Sequence, residues 1–278
     1  MRRLRSWLGL ALGGAVVAWT GSSRADDAVI ERFDQAKVDW SRGEILAAGS
    51  GTPNPALGGV ARVRVEAERA AKLDAYRHVL EALEGVRVTA SASGRDRLAD
   101  PGVRATVQGL LHGCGVKDSR YYSDGGVDVV LRCPFRGGLV NALLPATRRA
   151  PGRDASAPRV DGEPALVTGL IVDATGIDAR PLMIPTVRDG RGQVIMVGPK
   201  IITKEALQTH GGVAYVATFE EARSRARVGP RPLVVRIGSV SRQGWELAPG
   251  EADKLRGLDL DFVAEGGVVV ILPRPEKK

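Results

Sequence analysis

Residues 60–83 read VARVRVEAERAAKLDAYRHVLEAL, and their spacing decides the architecture of the first half of the chain. Ala67, Ala70, Ala71, Val79, Leu80 and Leu83 supply much of an apolar stripe near the 3.6-residue period of a helix. The opposite face carries Glu68 with Lys72 and Arg77 with Glu81 at i,i+4, pairs that each add a few tenths of a kcal/mol. Gly85 stops the helix. On its N-terminal side, residues 37–48 read as a strand or strand pair through Val38, Trp40, Ile45 and Leu46. The run Gly49-Ser50-Gly51-Thr52-Pro53 is expected to break it, and residues 26–36 read as a short helical or irregular lead-in.

On the C-terminal side, residues 86–92 alternate as a strand. Asp100-Pro101 opens a second helix through Val103, Val107, Leu110 and Leu111 to Gly113, with proline at its first position. Residues 116–122 and 127–131 read as strands joined by the turn Ser123-Asp124-Gly125-Gly126. The order is strand, helix, strand, helix, strand, strand, an α+β domain over residues 26–144. Residues 145–164 hold Pro145, Pro151, Pro158 and Pro164 among arginines and small residues, and read as a linker. A second α+β domain is expected over residues 165–273, followed by a tail, 274–278. Its strands are expected at 166–174, 182–187, 193–197, 213–216, 233–240 and 268–272, with a hairpin turn at Asp189-Gly190-Arg191-Gly192. Short helices are expected at 204–209, capped by Thr203, at 219–225 and at 249–256. The fold class is therefore α+β, two small domains joined by a Pro/Arg-rich linker.

The N-terminus sets the expected compartment. Arg2, Arg3 and Arg5 precede an apolar run from Trp7 to Trp19, and Ser23 and Ala25 place small residues at −3 and −1 of a cut between Ala25 and Asp26. Residues 1–25 thus read as a signal peptide, and a periplasmic or secreted protein is expected. The run is short for a permanent membrane anchor, the alternative reading. Arg2-Arg3 raises the twin-arginine route, although its surroundings match that pattern poorly. Loss of residues 1–25 removes four arginines and no acid, so the net charge falls from +8 to +4. That charge is spread among acids, which argues against a nucleic-acid partner. An apolar share of 44% and a charged share of 26% argue against a disordered chain and against a polytopic membrane protein.

Cys114 and Cys133 are the only cysteines. An oxidising compartment favours a disulfide, and folding the hairpin about its turn brings the two near each other. Two buried thiols are the alternative; there is no C-x-x-C, and two cysteines fall short of a metal ligand set. No pattern of catalysis stands out. His78, His112 and His210 lie in no ligand spacing, and there is neither a G-x-S-x-G elbow nor a phosphate-binding loop. Gly49-Ser50-Gly51 and Gly211-Gly212 read as turns, as does the stretch between Asp173 and Asp178. Glu220-Glu221 and Glu251 read as solvated or first-turn acids. A carboxylate pair for glycoside hydrolysis is a matter of space that spacing does not address. No cofactor and no metal is expected. Trp40, Tyr121 and Tyr122 are the candidate interface residues, suited if exposed to a protein or glycan surface and otherwise to a core.

Three stretches resemble the bacterial LPP-twenty-like lipoprotein family, which includes the N-terminal part of flagellar assembly protein T (FlgT). Val38-Asp39-Trp40, Ile45 and Ala48-Gly49-Ser50-Gly51 resemble its opening strand and glycine turn. Ala67-Glu68-Arg69-Ala70-Ala71, Asp74-Ala75-Tyr76-Arg77 and Leu80-Glu81 resemble its long helix, and Gly85-Val86-Arg87-Val88 the strand after it. Gly109 and the hairpin over 116–130 fit its tail. The resemblance covers residues 37–135, about a third of the chain. No cysteine stands at the expected cut, unlike the family's lipoproteins. The resemblance implies a non-enzymatic envelope role, binding other envelope proteins in flagellar or surface-structure assembly, and brings no catalytic residues. Peptidoglycan or glycan binding is the alternative, and a secreted hydrolase with a site assembled from distant residues a third.

Overall fold

The computed structural model describes residues 28–144, 167–196, 202–255, 258 and 260–273. The expected signal peptide with its Ala25–Asp26 cut, the expected linker and the tail lie outside these residues.

The first unit opens with β1 (Ile30–Arg32), β2 (Ala36–Asp39) and β3 (Glu44–Gly51). The lead-in is thus a strand, not a helix: Ile30 to Arg32 pairs antiparallel with Lys37 to Asp39. Helix α1 (Val60–Gly85) follows, then α2 (Gly94–Leu98), α3 (Pro101–Leu111), β4 (Gly115–Tyr121), β5 (Val127–Pro134) and α4 (Gly138–Leu143). The strands form an antiparallel sheet in the order β1-β2-β3-β5-β4.

Helix α1 lies on that sheet through its alanines. Ala67, Ala71 and Ala75 are fully buried against Val127, Val129 and Leu131 of β5. Gly49 and Gly51 make the approach possible, because a Cβ on Gly49 would overlap the backbone of Ala71 and Ala75, and one on Gly51 the carbonyl of Ala67. These glycines therefore continue β3 rather than break it: the strand pairs with β5 as far as Gly51. Ala70, assigned to the apolar stripe, is exposed. Beyond β2, the free edge of β3 is closed by α1 side chains. Asp74 accepts from Ser50 N at 3.1 Å, and His78 Nδ1 lies 2.6 Å from the Ala48 carbonyl. The two i,i+4 pairs of α1 form, at 2.6 Å for Lys72–Glu68 and 2.9 Å for Arg77–Glu81.

The alternating segment 86–92 does not make a strand. Val88 N and Thr89 N both donate to Ala92 O, and Thr89 Oγ1 accepts from Ala92 N, which folds the segment into a turn. Local side-chain bonding of this kind competes with a ladder. Ser93 and Asp96 then form a capping box for α2. Asp100 caps α3 by accepting from Gly102 N at 2.8 Å and Val103 N at 3.3 Å, with Pro101 at the first position.

Strands β4 and β5 form the expected hairpin, and Cys114 and Cys133 are disulfide-bonded across it with a Cα–Cα distance of 4.4 Å. The bond closes a 19-residue separation. Its reduction is expected to cost about 3 kcal/mol in the loop-entropy model. A fall in the urea midpoint on adding a thiol, absent from a Cys114→Ser/Cys133→Ser variant, would measure it. An unchanged wild-type midpoint would show that the bond constrains nothing.

The second unit contains β6 (Gly169–Asp173), β7 (Val187–Arg188), β8 (Val194–Met196), α5 (Lys204–His210), β9 (Ala214–Val216), α6 (Phe219–Ser224), β10 (Pro232–Ser241), β11 (Gly244–Leu247), α7 (Asp261–Ala264) and β12 (Val268–Ile271). Among the described residues these strands form one mixed sheet, β8-β7-β11-β10-β6-β12-β9. Its β10-β6-β12-β9 side, ending at the edge strand β9, is parallel. Strands β6 and β12 read as unbroken apolar runs because both faces are covered. Most expected elements are present, with three differences. Residues 182–186 are irregular, with Leu182 held by the Tyr215 hydroxyl; residues 251–255 form only a 3-10 turn; and β11 and α7 were not anticipated. Thr203 caps α5 as expected, accepting from Ala206 N at 3.2 Å. The fold is α+β with two domains.

Candidate functional site

The two domains share one core. Leu170, Val172, Tyr215, Val268 and Val270 of the second sheet belong to the same buried cluster as Val38, Trp40, Ile45 and Leu83 of the first unit. The carbonyls of Arg87 and Val88, left without a ladder by the turn at 86–92, accept from Met183 N at 3.0 Å and Ile184 N at 3.1 Å. Trp40 is the aromatic centre of the contact. Its ring stands edge-on to Phe135 at 5.2 Å and to Tyr215 at 5.5 Å, and its indole N–H donates to Glu31 at 3.2 Å. Burial raises the Glu31 pKa, opposed by the Trp40 N–H and by the charges of Arg180 and Arg87. Burial likewise pushes the Tyr215 phenol up; its hydroxyl donates to Leu182 O at 2.6 Å and accepts from Leu182 N at 2.9 Å.

Trp40 is only 6% exposed. As a surface aromatic it is therefore corrected: the face it serves lies inside the molecule, between the domains. Tyr121 and Tyr122 are 52% and 41% exposed. They point to opposite faces of the hairpin, Tyr121 hydrogen-bonding Glu68 of α1 at 3.1 Å and Tyr122 bonding Asp128 of β5 at 2.5 Å. Each hydroxyl lowers the pKa of its carboxylate partner, below the larger effect of Lys72 at Glu68 and as the leading effect at Asp128. The structure does not bring Trp40 together with the two tyrosines.

Beside Trp40 the domain boundary opens into a cleft of about 240 Å³. Among the described residues five segments border it: the turn Trp40 to Gly43, the residues after β5 with α4, the irregular segment at Met183, the α5–β9 loop, and the segment after α6. Its apolar wall is Trp40, Phe135, Val140 and Met183. Gly211 sits at φ +71, and a Cβ on Gly212 would overlap the Met183 carbonyl, so these glycines let the loop close on the cleft. They form a turn, as expected, directly after His210, the last residue of α5.

Arg42, Arg136, Arg225 and Arg227, with His210, line the cleft, and among the described residues no Asp or Glu does. Two of the arginines are neutralised from outside it: Asp39 holds Arg42 at 3.1 Å and Glu221 holds Arg225 at 2.5 Å. Arg227 is half-buried and, among the described residues, bonds two carbonyls, His210 O at 3.0 Å and Val268 O at 3.4 Å. Burial and the neighbouring Arg225 charge bring its pKa down to about 10. Arg136 is exposed and has no ion pair among the described residues. The Arg225 Nε–H is buried without a hydrogen-bond acceptor. Sequence reasoning missed these arginines because they come from separate segments; the sole local signal is the pair Arg225 and Arg227. Among the described residues no three His, Cys, Asp or Glu side chains converge, and no helix is long and apolar enough to cross a membrane.

Residues 169–273 match a family model described as the second domain of Treponema pallidum Tp0624. The match begins with the first residue of β6 and ends two residues beyond β12, so it spans the second sheet from its first strand to its last. The second unit is thus similar to a domain that occurs as one module of another protein. No curated protein matches the chain.

Proposed function

We propose that this is an exported, non-enzymatic cell-envelope protein that binds other envelope proteins in flagellar or surface-structure assembly. The observation that carries the reading is the disulfide-clamped β4–β5 hairpin. A structural disulfide belongs to an oxidising compartment. Strand β4 is an edge of its sheet and is exposed along most of its length, with Val116, Tyr121 and Tyr122 uncovered. An exposed edge bearing aromatics suits pairing with a partner's strand, and the clamp holds that edge in one shape. Lys117 and the register shift between Val116 and Asp118 keep the edge from pairing indiscriminately. The resemblance of residues 37–135 to the LPP-twenty-like family supports the same role.

A photo-crosslinker at Tyr122, with partners identified by mass spectrometry from the envelope fraction, tests this. Specific links to surface-machinery or outer-membrane proteins are expected, reduced by Tyr121→Ala and absent from a crosslinker at Arg191. Co-sedimentation with purified peptidoglycan without any protein link would transfer the role to glycan binding. Turnover that depends on one side chain would overturn the non-enzymatic assignment.

A further inference from the structure

We propose that the cleft between the domains is a binding site for a small dianionic ligand, a phosphate monoester or a dicarboxylate with a compact apolar body. This site is separate from the hairpin and does not depend on the proposed protein-binding role.

The charge balance points to the ligand. Asp39 and Glu221 cancel Arg42 and Arg225, which leaves Arg136 and Arg227 without carboxylate partners among the described residues. A dianion matches the remaining two positive charges. Desolvation makes the mismatch costly: Arg227 is half-buried among carbonyls beside a second guanidinium. Proteins rarely leave such a charge uncompensated unless the compensation arrives with a ligand. Guanidinium forks match both phosphate and carboxylate geometry, which is why the chemistry is that of an oxyanion rather than of a hydroxyl or a cation. The wall of Trp40, Phe135, Val140 and Met183 adds an apolar surface for the rest of the molecule. The volume of about 240 Å³ suits a ligand no larger than a single ring with its charged group.

The site also joins the domains. Arg42 and Arg136 belong to the first, Arg225 and Arg227 to the second, so a ligand bridging Arg136 and Arg227 stabilises their contact.

Calorimetric titration of the mature protein with phenyl phosphate and, separately, with glutarate tests the proposal. Saturable binding of at least one is expected, weakening as salt rises, with benzyl alcohol inert. Arg136→Gln, at an exposed position that leaves the core intact, is expected to weaken binding at least tenfold, and Arg227→Gln to abolish it. Arg191→Gln, at an exposed turn away from the cleft, is expected to bind as the wild type does. Stronger binding of phenyl phosphate identifies a phosphate site, and stronger binding of glutarate a dicarboxylate site. Absence of saturable binding by both anions, or equal loss in Arg136→Gln and Arg191→Gln, would overturn the proposal.

Discussion

Trp40→Ala is expected to destabilise the protein by about 3–5 kcal/mol, the cost of truncating a large buried aromatic. The change removes the edge contacts to Phe135 and Tyr215 and takes the indole donor from Glu31. It also has a specific signature. With residues 1–25 removed, Trp40 and Trp245 are the only tryptophans, and Trp245 is buried in the second domain. In the variant, tryptophan fluorescence therefore follows the second domain alone. Wild-type protein is expected to unfold in urea with coincident fluorescence and far-ultraviolet circular dichroism transitions, as a shared core requires. In Trp40→Ala the two transitions are expected to separate. Coincident transitions with a loss below about 1 kcal/mol would mean that the domains are held together by something other than this contact.

Gly51→Ala is expected to damage the first domain severely. Its Cβ would overlap the Ala67 carbonyl, a backbone atom of a 26-residue helix that cannot step aside alone. Relief requires lifting α1 from the sheet and opening the contact of Ala67, Ala71 and Ala75 with β5, so a cost of about 3 kcal/mol or more is expected. Gly109→Ala provides the contrast. Gly109 lies on the exposed side of α3 with nothing within 4 Å of an added Cβ. There alanine is expected to stabilise by about 0.5–1 kcal/mol, the helix-interior preference over glycine. Urea midpoints of the two variants, measured together, should move in opposite directions. A Gly51→Ala protein as stable as wild type would refute the close helix–sheet approach.

The hairpin and the long helix were legible because their signals are local. A turn-forming quartet between two apolar runs, and a period of 3.6 with paired charges, need no partner to be recognised. The apolar runs of β6 and β12 were legible for the same reason. Segment 86–92 misled because its alternation fits a strand, while Thr89 and Ala92 offered the backbone a tighter local solution. Gly49 and Gly51 misled in the opposite direction. Glycine marks turns in sequence, yet here it marks a strand crossed by a helix at contact distance, and the clue was three alanines more than a dozen residues away.

Most element types, the division into two α+β units and the cysteine pair follow from composition, period and turn chemistry, which act over a few residues. The sheet orders do not, because pairing partners such as β3 with β5 or β6 with β10 and β12 are chosen by which apolar faces can be buried together. The place of Trp40 was equally invisible: its ring suits a surface or a core, and burial between Phe135 and Tyr215 depends on the second domain packing against the first. The arginine cleft belongs wholly to the tertiary structure. Charge acts through space, so four arginines dispersed among acids along the chain become an anion site only where folding gathers them and leaves the acids outside.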